Sequence, residues 1–402
     1  MKAAVVCGAG IAGLASAQRL ATLGWDVVVL EKAAAPRTQG YMLDFFGPGY
    51  DAAEAMGVLP RLAELSYHVE EVTYRDGAGR RRAGMRFAQF AKIVRGRLLS
   101  ITRSDLERGL RESLPDTVDL RFDTSIISVA NDADGVAVTT SDNVVLEADV
   151  LVGADGIHSA VRRIVFGEED TYLRYLGFHT AAFVFDDDAI HAQVDGQFCL
   201  TDSVDRQLGF YGLREGKVAV FAVHRTPDPT LPDDPREAIR REYASLGWIS
   251  PTALAACPAP TEVYYDQVAQ IELPSWSRGR VVLVGDACGA VSLLAGQGAS
   301  LGIAGGYVLA EHLAGAGTVD AALVEYERAM RPVVTAKQRV ARDSVRWFLP
   351  RSALQLRMRR AILRLARLPL LDRYVAGSIA GKSTAVVTRL ADKGGRRVIV
   401  SG

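Results

Sequence analysis

The chain has 402 residues, 49% apolar and 23% charged, enough to bury a large core and form two domains. Its 47 basic and 47 acidic residues cancel, so the overall charge does not point to nucleic acid or to an acidic partner. Four widely spaced cysteines (Cys7, Cys199, Cys257, Cys288) contain no CxxC pair, which argues against a zinc site and a disulfide framework and fits a reducing cytoplasm.

Residues 2–7 read as a buried strand, and Gly8-Ala9-Gly10-Ile11-Ala12-Gly13 as a glycine turn opening a helix. The apolar start is too short to span a membrane and is needed as a strand, so it is not read as a signal peptide; no later window spans either. A second strand, 25–30, ends in Glu31. Strand, turn, helix, strand and acid in this order form a dinucleotide-binding unit: Gly8 allows the tight turn, Gly10 lets backbone approach a pyrophosphate, and Gly13 lets the helix pack closely. Glu31 stands where a carboxylate accepts ribose hydroxyls and disfavours a 2′-phosphate. The fingerprint alone does not separate FAD from NAD.

Residues 32–37 form a loop, and an extended segment 40–45 ends at Gly47-Pro48-Gly49. A short helix is expected over 51–56, a strand over 69–75 and a hairpin turn at 77–79. A helix begins at Arg103 and runs to Leu114, with Leu106, Leu110 and Leu114 at four-residue spacing. Arg103 gains nothing from the dipole at that end, so it is either solvated or aimed at a phosphate. Short strands follow at 118–122, 125–130, 135–140 and 143–147, and 149–152 leads into Gly153-Ala154-Asp155-Gly156-Ile157-His158-Ser159-Ala160-Val161-Arg162.

From 172 to 273 the pattern turns to long β-type runs at 178–185, 207–213, 218–224 and 261–271, with a helix only at 235–246, which reads as an inserted, mainly antiparallel sheet. Residues 280–284 are again a buried strand, capped by Gly285-Asp286-Ala287; Gly296-Gln297-Gly298 opens a small-residue helix over 299–313, and Thr318 caps another to about Arg331. Near the end, Leu354, Met358, Ala361, Leu365 and Leu368 share one helical face beside Arg357, Arg360, Arg364 and Arg367; this helix is expected to pack across a domain junction, with docking on an anionic membrane as the alternative. No internal repeat or low-complexity tract is present.

Three stretches then coincide: the N-terminal fingerprint, Gly153-Ala154-Asp155-Gly156 with Arg162, and Gly285-Asp286-Ala287 with Gly296-Gln297-Gly298. Together they resemble the class A flavoprotein monooxygenases, whose members include para-hydroxybenzoate hydroxylase, and the likeness covers nearly the whole chain. Residues 37–44 and the helix at Arg103 look most like the tetracycline-inactivating monooxygenases within that class. The resemblance implies an α/β fold: a Rossmann-like FAD-binding domain of the glutathione-reductase type (1–171, including part of the substrate-facing region at 66–100, and 275–345), an inserted mainly antiparallel substrate-binding sheet (172–274) and a C-terminal basic helical segment (346–402).

Residue by residue, the likeness assigns Gly8, Gly10, Ile11, Ala12, Gly13, Glu31 and Lys32 to the ADP half of FAD, Arg103 to its pyrophosphate region and Asp286 to its ribityl chain. Gly296, Gly298 and Ala299 would face the flavin at a helix N-terminus, Asp44 would lie near the flavin, and Arg37 near the cofactor or the entering nicotinamide. Asp155 is tied in the family to FAD and pyridine nucleotide, the alternative being a turn cap paired with Arg162. The third motif departs from the family at Cys288-Gly289-Ala290-Val291-Ser292-Leu293-Leu294, which lacks the usual histidine and proline, and Cys288 is expected to be packing. The implied chemistry is reduction of FAD by NADH or NADPH, addition of O2 at flavin C4a, and delivery of one oxygen from the hydroperoxide to an aromatic or polycyclic substrate. Flavin-dependent dehydrogenation, Baeyer-Villiger oxidation and a membrane-docking redox module are the alternatives. No metal is expected, and His179, His191, His224 and Tyr211 are expected to be structural rather than general bases.

Overall fold

The computed structural model describes residues 2–36, 41–132, 134–292 and 296–365, with 387 and 390. Strand Ala3–Cys7 is almost wholly buried and pairs in parallel with Asp26–Leu30 on one side and Val150–Gly153 on the other. A strand buried on both faces carries no polar alternation, which is why it reads as a continuous apolar run. The sheet orders Ser277–Arg278, Val281–Leu283, Val150–Gly153, Ala3–Cys7, Asp26–Leu30 and Asp119–Arg121, and only the Ser277–Arg278 edge is antiparallel. Helix Ile11–Thr22 is wedged between this sheet and helix Gly298–Gly315. The two helices meet through bare backbone: a Cβ on Gly306 would lie 2.7 Å from Ser16 Oγ. The small residues of the later helix are thus a packing surface.

A second sheet orders Tyr264–Ile271, Leu173–Asp186, Lys217–Arg225, Arg206–Gly212, Gln197–Ser203, Glu71–Arg75 and Arg81–Arg86. Glu71–Arg75 joins in parallel with Gln197–Ser203, so a segment more than a hundred residues upstream completes it. Phe183, Phe185, Phe210, Val220 and Ile239 form its core, while Phe221, Tyr264 and Tyr265 stay partly exposed. Helices Asp188–Val194 and Ser250–Ala255 cover this sheet in addition to Pro235–Tyr243, the helix expected from the sequence. At seven and six residues they are too short to show a helical repeat.

Two expectations change near the C-terminus. The helix capped by Thr318 does not stop near Arg331 but runs from Val319 to Phe348 with Pro332 inside it. Buried Tyr326, Met330, Val333, Val334 and Gln338 on one face offset the roughly 3 kcal/mol that an interior proline costs. In helix Ala353–Leu365 the apolar stripe is not the packed face: Leu354 is 67% and Met358 50% exposed. Instead, Arg359 and Arg360 both ion-pair with the carboxylate of Asp202, which is fully buried in the large sheet, and Arg359 also reaches the Phe348 carbonyl at 2.7 Å. Residues 367 and 368 of the expected stripe lie outside the described residues, and so do the side chains of 364 and 365. No helix among the described residues is long and apolar enough to cross a membrane.

Replacing both Arg359 and Arg360 with alanine leaves Asp202 buried and unpaired and is expected to cost about 3–5 kcal/mol in chemical denaturation. Leu354→Gln should stay within about 0.5 kcal/mol of the parent.

Candidate active site

The carboxyl end of the parallel sheet opens into a crevice of about 340 Å³, within the range of organic-ligand sites. The glycine turn forms its floor. Gly8 takes φ +103°, and a Cβ there would lie 2.6 Å from the Ala154 carbonyl oxygen, while a Cβ on Gly13 would lie 1.8 Å from that of Gly8. Gly13 is therefore packing and does not line the crevice, whereas Gly8, Gly10, Ile11 and Ala12 do. Gly10 caps helix Ile11–Thr22 without a side-chain hydrogen bond, and the nearest atom to a Cβ there is Glu107 Oε1 at 3.8 Å. The first-turn N–H groups therefore face open space, the geometry of an anion cradle.

Glu31 closes the far end. Its Oε2 accepts the Ala9 N–H at 2.9 Å and its Oε1 the Ala33 N–H at 3.0 Å, which locks the carboxylate beside the turn, and Lys32 lines the same end. Arg103 enters from the N-terminus of helix Arg103–Glu112, its Nε donating to buried Glu107 at 3.0 Å. Its backbone N–H donates to the Tyr41 carbonyl at 3.0 Å, bringing Tyr41 to the crevice wall. Asp286 follows the left-handed Gly285, whose Cβ would strike Ala12 at 2.7 Å. Asp286 is accessible from the crevice yet ringed by protein, and that burial raises its carboxyl pKa while Arg103 pulls it down. Gly296, Gly298 and Ala299 line the same wall at the start of helix Gly298–Gly315, which Gln297 leaves without a side-chain cap.

Asp155 reaches the crevice but also does local work: Oδ1 accepts the Ser159 hydroxyl and Oδ2 the Val161 N–H at 3.1 Å. Its partner is not Arg162. The Arg162 guanidinium, fully buried, pairs with Glu169 at 2.6 Å and donates to the Ala287 carbonyl at 3.0 Å, tying the middle motif to the third. Asp44 stands apart: strand alternation turns Leu43 into the crevice and Asp44 to the other face, where Ser100 Oγ donates to it at 3.0 Å. Arg37 lies outside the described residues.

His179 and His224 meet the hydroxyls of Tyr265 and Tyr243 at 3.2 and 3.1 Å, and burial lowers both imidazoles, His224 to about 4. His191 holds the Leu213 carbonyl at 2.8 Å, and the buried Tyr211 hydroxyl accepts the Met42 N–H. None of the four lines the crevice. Burial pushes the Cys288 thiol well up, which leaves it a packing group.

Several residues that shape the site carry no role in the motif reading. Tyr264 and Asp266 enter from strand Tyr264–Ile271, and His158 from the loop after Val150–Gly153. Buried Gln270 and Gln338 donate to the Val291 and Ala290 carbonyls at 3.1 and 3.0 Å, pinning the wall where Ser292 adopts φ +86°. The available signals were an acid inside an aromatic strand and a histidine directly after the middle motif.

A glycine turn and two uncapped helix starts facing one crevice, with a carboxylate at each end, define a dinucleotide-binding site. The chain belongs to the FAD binding domain family, which it matches over residues 1–341. It is 32% identical over 324 residues to an uncharacterised protein of Mycobacterium tuberculosis, covering 79% of this chain and 86% of that one. To a flavin-dependent monooxygenase of Legionella longbeachae it is 30% identical over 346 residues, covering 83% and 86%. Among solved structures it is similar to the tetracycline destructase Tet(55), at 27% identity and a TM-score of 0.78, covering 94% and 98%. It is thus an FAD-dependent oxidoreductase of the class A flavoprotein monooxygenases, as its three motifs indicate.

Gly10→Val should carry little FAD per chain, yet its FAD-stripped form should melt with FAD-stripped parent, because its side chain enters the crevice rather than the core. Gly13→Ala should lose on the order of 3 kcal/mol or more, read from the melting transition. His158 also makes stability pH-dependent: its hydrogen bond to Asp266, then Glu169 acting against desolvation, push the imidazole up to about 9. Because the folded value lies above the unfolded value of about 6.5, the stabilisation is complete below the latter and lost as pH rises through the former. The melting point should fall more steeply from about pH 7 to about pH 10 in the parent than in His158→Gln; equal slopes would count against the bridge.

Proposed function

We propose that this enzyme uses NADH or NADPH and O2 to hydroxylate an aromatic or polycyclic small molecule. The observation that carries this reading is one continuous crevice running from the glycine turn to the half-buried pair Tyr41 and Tyr264, whose ring centroids are 6.1 Å apart. Flat, partly exposed aromatic rings offer a stacking surface to a planar substrate.

The residues fit FAD, because bare backbone at Gly10, Gly296 and Gly298 leaves open a cradle that side chains would fill. When bound, FAD supplies the two-electron redox chemistry and the activation of O2. The N-terminus of helix Ile11–Thr22, with Arg103, holds the pyrophosphate, and Glu31 accepts ribose hydroxyls. Asp286 accepts a ribityl hydroxyl. The N–H groups of Gly298 and Ala299 stabilise negative charge at the pyrimidine edge of the isoalloxazine. Tyr41 and Tyr264 orient the substrate and exclude water. The four cysteines are free and buried, which supports a cytoplasmic setting.

The purified protein should be yellow, with a flavin spectrum, and should oxidise NADH or NADPH while placing one atom of labelled O2 in an aromatic product. Flavin reduction without label in any product would favour dehydrogenation, label inserted into a ring ester would favour Baeyer-Villiger oxidation, and a colourless protein indifferent to FAD would overturn the assignment. Arg103→Ala and Asp286→Ala should each weaken FAD binding by about tenfold without unfolding, read as flavin absorbance per chain after gel filtration.

A further inference from the structure

On the sheet side of the crevice one carboxylate is loaded along a single edge. Asp266, only 9% exposed, lines the crevice between Tyr264 and Gln267. Its Oδ1 accepts from His158 Nε2 at 3.2 Å and from the Gln267 N–H at 2.8 Å. Among the described residues its Oδ2 accepts nothing and is not shut away from the crevice, so this edge of the carboxylate, with room for two donors, is open to a ligand. The carboxylate is not free to turn away. His158 is held at its other nitrogen by Glu169 at 2.8 Å, and Glu169 is held by Arg162, which also grips the Ala287 carbonyl next to Asp286. One buried guanidinium thus sets the position of the third motif and, through two links, of the sheet-side carboxylate. Asp266 and Asp286 come from different sheets yet face the same space, close enough for Asp266 to add to the rise that burial imposes on Asp286.

Two carboxylates facing one space repel phosphates and carboxylates and suit a ligand that offers hydroxyl donors. We propose that Asp266, oriented by His158, is a second hydroxyl acceptor of the dinucleotide site, taking an O–H of a ribose-derived chain from the sheet side while Asp286 faces that chain from the other. The inference rests on the flavoenzyme reading. Two molecules bring this chemistry: the ribityl chain of FAD and the nicotinamide ribose of the reductant.

The test uses holoenzyme of the parent and of Asp266→Ala, Asp266→Asn and His158→Gln at neutral pH. One arm follows FAD release after dilution by recovery of flavin fluorescence. The other follows anaerobic reduction of the bound flavin against NADH and NADPH concentration, which gives their apparent Kd. Asp266→Ala should change one arm by about tenfold or more, Asp266→Asn by less because it keeps an acceptor oxygen, and His158→Gln should move the same arm in the same direction. A change in release identifies the ribityl chain, and a change in nucleotide Kd identifies the reductant's ribose. A merely structural carboxylate would lower the melting point of FAD-stripped protein and move neither arm. Both arms within about twofold of the parent, or an effect confined to the KM of an aromatic substrate, would overturn the proposal. If Asp266→Ala does not fold, Asp266→Asn and His158→Gln decide between the same outcomes. A parent that purifies without flavin overturns the proposed function and this inference with it, whereas a yellow parent with unmoved variants overturns this inference alone.

Discussion

Backbone touches backbone on both sides of helix Ile11–Thr22: at Gly13 against the Gly8 carbonyl, and at Gly302 and Gly306 against Ala12 and Ser16. Because no side chain separates these segments, the helix start has one permitted position, directly beyond strand Ala3–Cys7. The ends of Val150–Gly153 and Val281–Leu283 lie beside it in the same sheet, so Asp155 and Asp286 arrive at one crevice from distant parts of the chain. The site depends on this packing more than on any single polar contact. A close-packed interior does not deform by fractions of an ångström without cost, so the cradle is rigid before any ligand enters.

Polar keystones then join what the packing brings near. Arg162 carries its charge into the core and meets Glu169 and the carbonyls of Ile157 and Ala287. A buried guanidinium needs partners for its donors; here both Nη groups find them, while Nε has none, and those contacts bind the loop of one motif to the helix of another. Gln270 and Gln338 act similarly for the Ala290–Val291 wall, with Arg342 donating to the side-chain Oε1 of Gln270 at 2.7 Å and so joining the long helix to the clasp. Through these contacts helix Val319–Phe348, none of whose described residues lines the crevice, still shapes its wall.

Much of this was legible in the residues. A glycine turn between an apolar strand and a small-residue helix has few physical solutions, and an acid at the next strand end completes one of them. The long β-type runs after residue 172 announced a sheet because period and composition are local properties. What stayed hidden depends on distant partners. The sequence at Glu71–Arg75 does not say that it will join Gln197–Ser203, and Pro332 reads as a helix end until the buried face that outweighs it is in place. The C-terminal helix shows the same limit, since a fully buried Asp202 on another element decided that its arginines, not its apolar stripe, would dock.

The sequence by itself therefore determined the cofactor-binding unit, the fold class and the order of the motifs, because each follows from local backbone geometry and hydrophobic period. Only the tertiary structure decided which charges meet. Arg162 took Glu169 and not Asp155, Asp44 turned away from the crevice, and His158 reached across to Asp266. Ion pairs and hydrogen bonds act over a few ångströms, and spacing along the chain does not encode which side chains folding will bring within that distance.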